Sequence, residues 1–95
     1  MDAVLDLIRS ISTMIFFSFK DITEEDIEKN IEYLKHNMWF QDFLDDEKYN
    51  KLIVDNTDVR KVIGSIEAKK MSKPKYNKNQ QKRIKRELEK QSDIN

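Results

Sequence analysis

Ninety-five residues with no cysteine, one glycine and one proline describe one small domain without disulfides or thiolate metal ligands. They hold too few turn formers for an all-β or Rossmann-like chain. The formal net charge of zero joins two opposite halves: residues 1–68 carry 8 basic and 15 acidic side chains, a net of −7, and residues 69–95 carry 10 basic and 3 acidic, a net of +7.

The chain begins apolar. Val4, Leu7, Ile8, Ile11, Ile15 and Phe19 recur three or four residues apart, the spacing of one helical face, and Asp2, Asp6, Arg9 and Thr13 mark the opposite stripe. A helix over about Asp2 to Phe19 is expected. Asp6 and Arg9 leave too short an uninterrupted run for a membrane span. Asp2 and Asp6 also stand where a secretory leader needs basic residues, and no small-residue cleavage pattern follows, so the chain reads as cytoplasmic. Phe16 and Phe17 widen the apolar face towards a full circumference. Part of it is therefore expected to meet a protein partner, most simply a second copy of the chain, with Trp39, Phe40 and Phe43 joining the interface.

A helix start follows. Thr23 is an N-cap with Asp26 three residues on, the capping-box arrangement with Asp in place of Glu, and Ile22 and Ile27 form a hydrophobic staple across it. Glu24, Glu25 and Asp26 complement the positive helix N-terminus. Ile27, Ile31, Leu34 and Met38 then line one face of a helix running to about His36. Asn37 either ends this helix or caps a short aromatic one, in which Trp39–Phe43 and Phe40–Leu44 are i, i+4 pairs. After the break at Asp45-Asp46, Tyr49, Leu52 and Ile53 give another stripe. Thr57 is the expected cap of a last helix through Val59, Val62, Ile63 and Ile66. Gly64 either stops that helix or sits inside it at a cost of about 1 kcal/mol against Ala.

Past Ala68 the composition changes. Lys69, Lys70, Lys73, Lys75 and Lys78 surround Pro74, Tyr76 is the lone aromatic, and few apolar residues remain. A disordered basic tail over 69–95 is expected. Ile84 and Leu88 are too little apolar surface to hold a helix alone in water, so order there requires a partner. The alternative is that the tail folds back onto the acidic body, since opposite fields attract.

No catalytic constellation emerges. His36 lacks an orienting group and a nucleophile. Asp42, Asp45, Asp46 and Glu47 lack the glycine-bearing loop of a hard-cation site and read as a solvated break. There is no phosphate loop and no nucleophile elbow, so no enzyme, metal or cofactor is expected.

The expected architecture is an all-α bundle of about four short helices over 1–68 with a flexible basic tail. The expected function is that of a small non-enzymatic regulatory or accessory binding protein. Its body engages a protein, and its tail adds nucleic-acid affinity through Lys69, Lys70, Lys73, Lys75, Tyr76, Lys78, Lys82, Arg83, Lys85 and Arg86. Lysine and arginine neutralise phosphates, and Tyr76 offers a ring for base stacking. Two other readings compete. One is a helix–turn–helix over Tyr49–Lys70 with Arg60, Lys61 and Ser65 facing a major groove. The other is an acidic inhibitor whose Asp42, Asp45, Asp46 and Glu47 occupy a nucleic-acid groove on another protein.

Overall fold

The computed structural model describes residues 22–94. These form five α-helices and one 3-10 turn, with no strand among the described residues. In chain order they are α1 (Glu24–Leu34), α2 (Met38–Asp45), α3 (Glu47–Asp55), α4 (Thr57–Gly64), the 3-10 turn (Ala68–Ser72) and α5 (Pro74–Ile94). The all-α expectation holds. The helix expected at Asp2–Phe19, with Phe16 and Phe17, lies outside the described residues.

The start of α1 is the one the sequence specifies. The Asp26 N–H donates to Thr23 Oγ1 at 3.1 Å, and the Thr23 N–H donates to Asp26 Oδ2 at 3.1 Å. Two orphan donors of the first turn are thus satisfied reciprocally. The periodicity fails at its far end. Met38, expected on the inner face of α1, begins α2 instead and is 74% exposed. The turn at Lys35–Asn37 resets the helical phase.

α4 is the middle of the bundle. α1, α3 and α5 all pack against it, and Val59 and Ile63 on its inner stripe are fully buried. Its cap is Asn56, one residue before the expected Thr57: the Asn56 Oδ1 accepts from the Val59 N–H at 2.9 Å. Where α1 crosses α4, the side chains of Ile22 and Ile27 press onto Gly64. A Cβ there would lie 2.5 Å from Ile22 Cγ2 and 2.8 Å from Ile27 Cγ1. Space, and not a left-handed backbone, requires this glycine. The residue after it, Ser65, is right-handed helical at φ −81°.

With so few glycines, the helices do not end in the usual left-handed cap. Their last carbonyls are met instead by side-chain donors, most of them amides. Asn37 Nδ2 donates to Leu34 O, and Gln41 Nε2 to Lys35 O, at the end of α1. Asn50 Nδ2 donates to Leu44 O in the last turn of α2. Arg60 Nη1 donates to Ile53 O at 2.8 Å and Val54 O at 3.2 Å at the end of α3. Asn30 Nδ2, reaching across from α1, donates to Ile63 O at 2.8 Å and Ile66 O at 3.0 Å beyond α4. Three of the chain's seven asparagines, Asn30, Asn37 and Asn50, close helices in this way.

The core gathers Ile27, Leu34, Phe40, Phe43, Leu52, Ile53, Val59, Ile63, Ile66 and Met71 with Ile84 and Leu88 of α5. Burying each large apolar side chain contributes roughly 1.5–3 kcal/mol. Two of the residues expected at a partner interface belong here: Phe40 is 0% exposed and Phe43 is buried. Trp39 is half-buried, packs edge-on against Phe40 and Phe43, and donates its Nε1–H to Asn77 Oδ1 at 2.9 Å. The aromatic run is the floor of this core, and only Trp39 keeps part of its surface.

Where a flexible tail is expected, the structure has α5, 21 residues long, packed on α3, α4 and the 3-10 turn. Pro74 opens it, in the position whose missing N–H costs a helix nothing. The inner face is Asn77, Gln80, Ile84, Leu88 and Gln91, spaced three or four apart. Ile84 and Leu88 are fully buried, and Gln80 and Gln91 nearly so. The two apolar residues that are too few for a free helix have found their partner within the chain.

Candidate nucleic-acid interface

α5 is held at both ends by side-chain amides. Near its start, Asn77 Nδ2 donates to Asn37 Oδ1 at 2.9 Å and to Met71 O at 3.2 Å, while its Oδ1 accepts from Trp39. Near its end, Gln91 Nε2 donates to Glu87 Oε2 at 2.7 Å and Asp58 Oδ2 at 3.4 Å, and its Oε1 accepts from Asn56. These contacts fix the helix's rotation about its own axis, and so decide which side chains face outward.

Between residues 75 and 86 the outward-facing side chains are Lys75, Lys78, Asn79, Lys82, Lys85 and Arg86. Five of the six are cations, and no carboxylate stands among them. Among the described residues, none of the five cations is in an ion pair. At 1.5 Å of rise per residue they form a ridge about 16 Å long. Acidic residues appear only further on: Glu89 and Asp93 are exposed beyond the ridge, and Glu87 is turned towards Gln91. The tail therefore does fold back on the body, but not by charge attraction. Its apolar and amide face makes the contact, Arg83 turns inward, and the five ridge cations point away.

The other expected nucleic-acid residues separate into two groups. Lys69 and Lys73 are exposed beside the ridge's N-terminal end. Lys70 pairs with Glu67 at 3.4 Å, and its Nζ lies 5.9 Å from the centre of the Tyr76 ring. Tyr76 is not free to stack. Its ring packs against the core and its hydroxyl oxygen accepts from the Glu67 N–H at 3.0 Å. Arg83 leaves the ridge as well: Nη1 donates to Gln80 Oε1 at 2.7 Å and Nη2 to Ser65 Oγ at 3.1 Å. Burial pushes its pKa below the ordinary value, with the neighbouring Tyr76 opposing. Its guanidinium sits at the C-terminal end of α4, where a cation complements the helix dipole.

The helix–turn–helix reading finds little room. α4 would be the reading helix, yet it is packed on three sides. Arg60 is committed to Glu24 and to Glu28, the latter at 2.9 Å, besides closing α3. Burial works to lower the Arg60 pKa, but hydrogen bonds to Glu28 and Glu24 outweigh it and the value is raised. Ser65 Oγ donates to Val62 O at 2.7 Å and accepts from Arg83. Of the acidic cluster, Asp46 caps α3 by accepting from the Tyr49 N–H at 3.0 Å, and Asp42, Asp45 and Glu47 are exposed. Among the described residues no group of three or more His, Cys, Asp or Glu side chains is placed to hold a metal ion. No helix among them is long and apolar enough to cross a membrane.

Comparison with protein-family models, with curated proteins and with solved structures gives no match for this chain.

Proposed function

We propose that the protein is a small non-catalytic binding protein that engages nucleic acid through the outer face of α5. The observation that carries this reading is the ridge of five unpaired cations at Lys75, Lys78, Lys82, Lys85 and Arg86. The arginines that serve the fold are engaged by it, Arg60 by Glu24 and Glu28 and Arg83 by Gln80 and Ser65. Five cations aligned on a rigid helix and left without carboxylates raise the local concentration of an anionic partner. Binding of this kind is sequence-tolerant, because phosphate contacts position a protein without reading bases.

The protein-partner half of the proposal falls to the apolar segment Val4–Phe19, through which we propose self-association. Phe40 and Phe43 no longer belong to that surface, since the core has them. The test of self-association is sedimentation of wild type and Phe17→Asp: a dimer that becomes a folded monomer supports it, and a monomeric wild type opposes it.

The nucleic-acid proposal is tested by titrating the full chain against a fluorescent 20-base-pair DNA at several salt concentrations. Affinity should fall steeply as salt rises, by the release of condensed counterions. Affinity that ignores salt, or no binding at low salt, contradicts the proposal.

A further inference from the structure

We infer that the ligand of the α5 ridge is the phosphate backbone of duplex DNA, and not a single strand. The inference rests on the nucleic-acid reading above and adds the form of nucleic acid bound. Two observations carry it.

The first is where the aromatic side chains lie among the described residues. Proteins that hold single strands stack bases on exposed rings, a contribution of about 1–3 kcal/mol per base. The basic region's own aromatic, Tyr76, is packed against the core with its hydroxyl engaged by the Glu67 N–H and Lys70 above its ring. Trp39 is tied to Asn77, while Phe40 and Phe43 are buried. Tyr33 is 39% exposed, but it lies on α1, which is not among the elements packed against α5. The ridge itself carries lysine, arginine and Asn79 alone, and offers no stacking platform.

The second is rigidity and spacing. Lys75, Lys78, Lys82 and Lys85 recur every three or four residues on one helix, roughly 4.5–6 Å of rise apart. α5 is held by the amide contacts of Asn77 and Gln91 and by the buried Ile84 and Leu88. The cations thus project from one fixed helical line and not from a flexible segment that could follow a flexible strand. Duplex DNA presents a matching stiff array, with one negative charge per roughly 1.7 Å of axis, and releases more counterion per neutralised phosphate than a single strand does.

Fluorescence anisotropy of the full chain tests this, using a labelled 20-base-pair duplex and one of its strands alone in the same low-salt buffer. The duplex should bind about fivefold tighter or better, the advantage following from the larger counterion release. Replacing Lys78, Lys82 and Lys85 together by Gln should lower the slope of log affinity against log salt on the duplex by about 0.9 per cation removed. Circular dichroism of that variant should match wild type, since all three side chains are exposed. Tyr76→Leu should leave the ratio of duplex to single-strand affinity unchanged. Equal or tighter binding of the single strand, or selective loss of single-strand binding in Tyr76→Leu, overturns the inference and leaves the nucleic-acid reading standing. Failure of both probes to bind removes that reading and the inference with it.

Discussion

α1 and α5 both pack on α4, and their outer faces use charge in opposite ways. α1 is acidic, and two of its carboxylates, Glu24 and Glu28, clamp Arg60, which in turn closes α3. Asp26 is spent on the cap. The charge of α1 is partly structural. α5 is held mainly by Ile84, Leu88, Asn77, Gln80 and Gln91, with Arg83 bonded to Ser65, and among the described residues its five ridge cations form no ion pair. The contrast separates a charge that builds the fold from a charge left over for a partner. A basic segment does not declare which kind it is by composition; the helix's inner face decides.

The sharpest way to break this comparison is to attack that inner face. If α5 is part of the body, Leu88→Ala should cost about 2–5 kcal/mol, the range for a fully buried leucine that leaves a cavity. Urea denaturation followed by far-ultraviolet circular dichroism reads it out. A free tail would show no change.

Gly64 comes next. In an open helix, alanine gains about 1 kcal/mol over glycine. Here a Cβ would meet Ile22 Cγ2 and Ile27 Cγ1 well inside contact distance, and overpacking costs about 1–3 kcal/mol. Gly64→Ala should therefore destabilise in spite of its propensity. A rise in the melting temperature would show that α1 yields at this crossing.

At the α1 end of the comparison, Thr23→Ala removes the acceptor for the Asp26 N–H and should cost about 1 kcal/mol. An unchanged melting curve would place the helix start elsewhere.

The smallest effect concerns pH. Tyr49 of α3 has its pKa raised above 10.0 by burial first and then by Glu89, Asp46 and Asp93. The folded state therefore favours the neutral phenol. Its contribution to stability is complete below the ordinary tyrosine range and is lost as pH rises through the raised value. Tyr49→Phe, which keeps the ring against Phe43, should flatten the alkaline decline of stability. A decline identical in both proteins would assign it to other groups.

The comparison also marks how far the sequence could be read. The cap of α1 was legible because Thr23, Asp26, Ile22 and Ile27 stand at fixed offsets that geometry requires. The helices between residues 24 and 64 were legible because their inner stripes are apolar. α4 was placed with its cap one residue late, because Asn56 and Thr57 are both good caps and only the backbone distinguishes them. α5 was missed for a physical reason: three of the five residues on its inner face are amides. Counted as polar, Asn77, Gln80 and Gln91 hide a stripe whose three-and-four spacing is as regular as that of α1. They fit the interior because each amide finds a hydrogen-bond partner there, the condition for burying a polar group. Of the ten expected nucleic-acid residues, Tyr76 and Arg83 are turned into the fold. The contacts responsible, with Glu67 and Ser65, cross from the loop before α5, a pairing that sequence spacing alone does not reveal. Phe40 and Phe43, expected at an interface, lie in the core, since no periodicity separates a surface Phe40 from a core one.

Amide hydrogen exchange of the free, full-length chain tests the central claim most directly. If α5 is part of the folded body, the amides from about Ile84 to Leu88 should exchange as slowly as those of Val59–Ile63 in α4, at the rate set by global unfolding. Exchange of the whole 74–94 segment at the rate of an unstructured peptide, while α4 stays protected, would contradict the account and leave the basic residues on a free tail.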